Sequence, residues 1–269
     1  MRAHRQLRGY ARITANPTVL AAMLCAAGFV ALRARNADGL VRGSANGQAG
    51  TVLLGEAGRL AGLSLATLVG LAVATAVATA VVPGDPGPRG EETMALREPG
   101  HARRLALRAV AVTSVLVASL ALAAGLLAAV AAAQLLRAGV TPGVDLGARG
   151  PQMETLARVA AVLPVLAVVG LLVAALVPSN PAVAVAASTG GAVAMLMLQH
   201  LMGHAGDVAL PSAWLGRWLH LASADFGDGY VWTIGSFSSG RWLAGLGMLA
   251  IAAAAAIGSW SLMRRAARL

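Results

Sequence analysis

The sequence predicts an all-α integral membrane fold of six transmembrane helices, with an N-terminal interfacial helix and a re-entrant or interfacial outer segment between helices 5 and 6. Three observations carry this expectation. Hydrophobic residues make up 58% of the chain and charged residues 12%, about half the charge of an ordinary soluble domain. The apolar residues gather in six blocks, most of them long enough to cross a ~30 Å hydrocarbon core at ~1.5 Å rise per residue. The arginines mostly flank those blocks and seldom enter them. A single transmembrane domain over 1–269 accounts for the whole chain.

The elements follow in order. In 1–16, Arg5, Arg8 and Arg12 share one helical face while Leu7, Tyr10 and Ile13 point the other way, the pattern of a helix lying in the membrane interface. The first block, 17–32, is short and borrows length by snorkelling Arg33 and Arg35. It ends in LRAR with no small-residue cleavage site, so no cleavable signal peptide is expected. It also holds the single cysteine, Cys25, which excludes an intrachain disulfide.

The second block, 59–82, carries Ser64, Thr67, Thr75 and Thr79 within about a third of the helix circumference at 100° per residue. The third, 106–136, is long enough to tilt or to project beyond the bilayer. The fourth, 156–177, contains Pro164, which is expected to kink it, and begins beside Glu154 and Arg158, four apart and so a candidate intrahelical pair. Between the fourth and fifth blocks lies VPSNPAV. Pro178 stops one helix, while Asn180 and Pro181 supply the N-cap and first-turn proline of the next, giving a tight hairpin.

The fifth block, 181–202, contains Ser188, Thr189, Gly190 and Gly191, then Met195, Met197, Gln199 and His200. The glycines permit close helix approach and the methionines suit adaptable surfaces. The outer segment, 204–241, places Trp214 and Trp218 four apart in PSAWLGRWLHLA, which predicts a short interfacial or re-entrant helix. The last block, 242–263, has Trp242 and Trp260 near its two ends, where aromatic belts sit.

Short arginine-rich loops stay cytoplasmic. Arg2, Arg5, Arg8 and Arg12, then Arg89, Arg97, Arg103, Arg104 and Arg108, then Arg264, Arg265 and Arg268 fall on one side of six crossings. Arg33, Arg35, Arg42, Arg137, Arg149, Arg217 and Arg241 fall on the other. The balance predicts a multi-pass plasma-membrane protein with both termini cytoplasmic.

The net charge of +10 comes wholly from arginine, since the sequence has no lysine. A GxxxxGK[ST] phosphate loop needs that lysine to reach the terminal phosphates, so this type of nucleotide site is excluded. The arginines flank apolar runs and form no patch with aromatics, which argues against nucleic acid as a partner. HLMGHAGD sets His200 and His204 one turn apart with Asp207 beyond, but no HExxH glutamate accompanies them, and no metal site is assigned. The spans hold almost no charged residues, against the expectation for a proton-coupled transporter or an intramembrane enzyme.

The loop between the second and third blocks reads RGEETMALREPGHARRLALRAV. Its glutamate, threonine, leucine, proline and basic cluster (Glu91 or Glu92, Thr93, Leu96, Pro99, Arg103 and Arg104), set in this six-span arrangement, resemble the permease subunit of type-2 ABC exporters. That family exports small drugs, antibiotics and polysaccharides. The resemblance implies a transport subunit and not an enzyme, with no cofactor of its own. ATP and magnesium would be bound by a partner ATPase, and a second permease copy or a paralogue would complete the pathway within the lipid bilayer. It further implies that segment 83–105 couples to the ATPase through Glu91, Glu92, Arg97, Pro99, Arg103 and Arg104. Helices two and five would contribute Ser64, Thr67, Thr75, Thr79, Ser188 and Thr189 to the translocation path. The uncharged interior suits a hydrophobic or amphipathic cargo. The competing readings are a membrane-embedded metal-dependent enzyme using His200 and His204, and a non-transporting immunity or scaffold protein.

Overall fold

The computed structural model describes residues 68–81, 101–137, 149–177, 180–203, 210–219, 224–225, 231–232 and 241–266, with isolated positions at 21, 23–25, 28, 61, 66, 139 and 205. Six helices with both ends among the described residues run in chain order: α1 (Leu68–Val81), α2 (His101–Arg137), α3 (Arg149–Leu176), α4 (Pro181–Met202), α5 (Pro211–Leu219) and α6 (Arg241–Ala266). Between the last two, β1 (Ala224–Asp225) and β2 (Val231–Trp232) pair antiparallel, Ala224 opposite Trp232. The described fold is otherwise entirely helical.

Among the described residues, four helices are long and apolar enough to cross a membrane: Leu105–Arg137, Leu156–Leu176, Pro181–Met202 and Leu243–Leu262. They match the third to sixth apolar blocks of the sequence. Of the second block, the described helix is the 14-residue α1, about 21 Å long at the α-helical rise. Ala61 is also helical and Ala66 sits in a turn, while Ser64, Thr67 and the other residues of 59–67 lie outside the described residues. So do the N-terminal helix expected over 1–16 and all of the first block except five positions.

α3 is the hub, packing on α1, α2 and α6 and touching α4 and α5. Its buried stripe, Val159, Val162, Leu163, Leu166, Ala167, Leu171 and Ala174, recurs every three to four residues, one face of an α-helix. Val73, Ala74, Val77, Ala78 and Val81 of α1 and Val112, Val115 and Leu116 of α2 meet it. Lipid tails are as apolar as these side chains, so what holds such a bundle is close packing, favoured by small residues at the contacts. Gly170 shows the mechanism. A Cβ placed there would come within 2.8 Å of the Ala74 carbonyl carbon and 2.9 Å of the Thr75 amide nitrogen. Hydrogen in place of a side chain lets the α1 and α3 backbones touch.

The start of α4 forms as its sequence predicts, while Pro178 lies outside the described residues. Asn180 is extended (φ −147°, ψ 109°), and its Oδ1 accepts from the Ala182 amide at 2.9 Å and the Val183 amide at 3.4 Å. Pro181 occupies the first helical position, where a missing N–H costs nothing. Pro164 lies inside α3, which continues through it as one helix. At the other end of α2, Gly139 adopts φ 73° and donates its amide to the Leu136 carbonyl at 3.1 Å, closing the helix with a left-handed residue.

α4 and α6 are the least enclosed spans. α4 meets its neighbours along a narrow line through Ala184, Ser188 and Gln199, and Val183, Val193, Met197, Leu198, Leu201 and Met202 are exposed. A protein in water rarely leaves such continuous apolar faces open, whereas a bilayer covers them. The molecule is therefore a membrane-embedded helical bundle.

Candidate functional site

The expected coupling segment and the helix after it are continuous. α2 begins at His101, so the last five residues of 83–105 are helical and belong to the third span's own rod. That rod has 37 residues, about 55 Å of helix against a ~30 Å hydrocarbon core. Arg103 lies exposed in its first turn, two residues before the apolar stretch opens at Leu105. Glu91, Glu92, Arg97 and Pro99 lie outside the described residues, as does the Arg104 side chain.

The hydroxyls expected along a pathway are satisfied within their own helices. Thr75 is fully buried where Gly170 crosses α1, and its Oγ1 donates to the Leu71 carbonyl at 2.9 Å. Thr79 donates to the Ala76 carbonyl at 2.7 Å. On α4, Ser188 and Thr189 both donate to the Val185 carbonyl, at 2.9 and 2.8 Å. α1 and α4 pack against each other, so these hydroxyls lie on neighbouring helices. Thr75 and Ser188 are buried, while Thr79 and Thr189 remain half-buried.

One end of the bundle carries an arrangement that sequence spacing did not reveal. α5 is fastened to three helices. Its indoles lie on glycines of α6: a Cβ at Gly245 would come within 2.8 Å of the Trp218 ring, and one at Gly247 within 2.5 Å of the Trp214 ring. The Trp218 indole N–H donates to the Arg158 carbonyl of α3 at 3.0 Å, and the Arg158 guanidinium donates back to the Trp218 carbonyl at 3.3 Å. Ser212 donates its hydroxyl to Gln199 Oε1 of α4 at 2.6 Å. Arg158, expected to pair with Glu154 on its own helix, thus reaches across to α5; the Glu154 side chain lies outside the described residues. Two tryptophans on a short amphipathic helix, with a Gly-x-Gly at the start of the next span, were the available signal.

His200 is exposed at the same end, and His204 and Asp207 lie outside the described residues. Among the described residues no three His, Cys, Asp or Glu side chains cluster as metal ligands. Cys25 is exposed. A lateral groove of about 420 Å³ opens between α2 and α3, lined by Ala109, Val110, Thr113, Ser114, Val117 and Pro164.

No family model matches the chain, and comparison with curated proteins and with solved structures returns no match.

Proposed function

We propose that this chain is the transmembrane subunit of an ATP-driven exporter of the type-2 ABC class, acting as a dimer with separate ATPase subunits. The observation that carries the reading is the continuity of α2. It is one helix of 37 residues, and its first turns, which hold Arg103, Arg104 and Arg108, run without a break into the candidate span that opens at Leu105. Force applied to the segment before it, around Glu91, Glu92, Arg97 and Pro99, passes into a rigid rod packed on the α3 hub. The lysine-free sequence agrees, because a chain without a GxxxxGK[ST] loop needs a partner to hydrolyse ATP.

In this proposal the chain crosses the plasma membrane six times with both termini cytoplasmic, and 1–16 lies in the interface. The region around α5 forms an outer interfacial or re-entrant cap. The translocation path runs along the α1 and α4 sides of two facing copies, near Ser64, Thr67, Thr79 and Thr189, with Thr75 and Ser188 joining it when those helices part. The cargo is hydrophobic or amphipathic.

Purification of the tagged chain from its native membrane tests this directly: an ATPase subunit is expected to co-elute in equimolar amount. The triple variant Glu91→Gln, Glu92→Gln, Arg104→Gln should weaken that association or leave the bundle unable to alter the partner's ATP hydrolysis. Recovery of a bundle with no ATPase, or a triple variant with unchanged association and hydrolysis, counts against the reading.

A further inference from the structure

We infer that the groove between α2 and α3 holds one anionic phospholipid of the surrounding bilayer, with its headgroup at Arg103 and one acyl chain lying past Val110, Ser114 and Val117 against Pro164.

Geometry supplies the first argument. At 100° per residue, Arg103, Val110, Ser114 and Val117 fall within about 60° of one another on α2, so the exposed guanidinium and the groove wall form one stripe. On α2 the groove lining runs from Ala109 to Val117, about 12 Å of helix rise, most of the ~15 Å of one leaflet. Arg103 stands less than two turns before the first lining residue and two residues before the candidate span opens at Leu105, on the headgroup side of the groove.

Charge complementarity is the second argument. The N-terminal turn of a long helix carries the positive end of its dipole, and Arg103 adds a full positive charge there. A phosphate finds both at this level.

The lining is the third. Ala109, Val110, Val117 and Pro164 are apolar, and Ser114 spends its hydroxyl on the Val110 carbonyl at 2.8 Å. A volume of about 420 Å³ lies within the ~300–1,000 Å³ of small-ligand pockets. Val110 and Val117 are half-exposed, so the groove is open at its side and a chain enters from the bilayer.

The inference stands apart from the exporter proposal, because binding to the isolated chain needs no ATPase. The full chain, purified in micelles containing equal phosphatidylglycerol and phosphatidylcholine and then washed, is examined by native mass spectrometry. One phosphatidylglycerol per chain should survive washing. Arg103→Gln should lower the preference for it by about five-fold, the weight of one basic residue at an anionic headgroup. Arg137→Gln removes the same charge at the far, exposed end of α2 and should change nothing. Val110→Trp narrows the groove and should abolish the retained lipid while Arg103 stays in place. If that variant fails to fold, Ser114→Leu replaces it with the same expectation. Equal retention of phosphatidylcholine, equal effects at Arg103 and Arg137, or a lipid still held by the folded groove variants would each overturn the inference, leaving ordinary lipid around the bundle.

Discussion

Gly170 and Trp218 act by opposite means, one by having no side chain and the other by having the largest. At Gly170 the neighbour is the Ala74 backbone, which cannot rotate away. Gly170→Val should therefore cost about 1–3 kcal/mol, the usual penalty of overpacking a tight contact, read as a lower unfolding midpoint in detergent. Gly125 has open space where its Cβ would stand, so Gly125→Ala should not lower that midpoint. Trp218→Phe keeps a ring on Gly245 but deletes the indole donor to the Arg158 carbonyl. Its expected cost is about 0.5–1.5 kcal/mol, typical of one hydrogen bond in a membrane bundle. The Arg158 bond to the Trp218 backbone carbonyl should survive that substitution, so Arg158→Gln in the Trp218→Phe background should cost further stability. Asn180 and Pro181 were legible in the sequence because a cap is settled by residues two or three apart. The partners of Arg158 were not legible, because Trp218 is 60 residues away and only the folded bundle brings them together.

Among the elements, α4 shows how a span differs from a core helix of the same length. Its 22 residues match the bilayer thickness, yet only a thin line of them is enclosed by protein. Val193, 37% exposed and close to the middle of the helix, should therefore sit against lipid tails. Val193→Arg is expected to cost about 2.5–3.5 kcal/mol of insertion free energy, measurable as a shift from inserted to translocated forms in a glycosylation-mapping assay. His200→Arg, near the helix end, should insert almost as well as the parent. Apolar blocks three to six were legible as helices because length and hydropathy are properties of a single segment. Which face of each helix would be buried was less legible. Blocks as uniformly apolar as these carry no polar stripe to mark the outside, and the buried stripe of α3 emerges only from packing against α1, α2 and α6.

If each of the four long apolar helices among the described residues crosses once, the chain returns to the side from which α2 departs. In a Cys25→Ala background, a cysteine at Arg103 should be labelled by an impermeant reagent from the same side as a reporter fused to the C-terminus. One at the exposed Ala205 should be labelled from the opposite side. Labelling of positions 103 and 205 from one side would show that α2, α3 and α4 do not each cross. The all-helical membrane class was fully legible from composition and block length. The hydroxyls of Thr75, Ser188 and Thr189 were legible as positions on apolar helices, and their bonds to carbonyls three or four residues back are the ordinary fate of such groups in a helix.

The seating of α5 also has a bearing on biosynthesis. A ribosome delivers Trp214 and Trp218 before it delivers Gly245 and Gly247. Until the last span arrives, the two indoles have no glycines to rest on, and the short helix is held by its contacts to earlier helices, among them the Arg158 and Gln199 bonds and the seat of Leu219 in the core. Completion of α6 thus closes the assembly, and a nascent chain stalled near residue 240 would leave both indoles without the glycines that seat them.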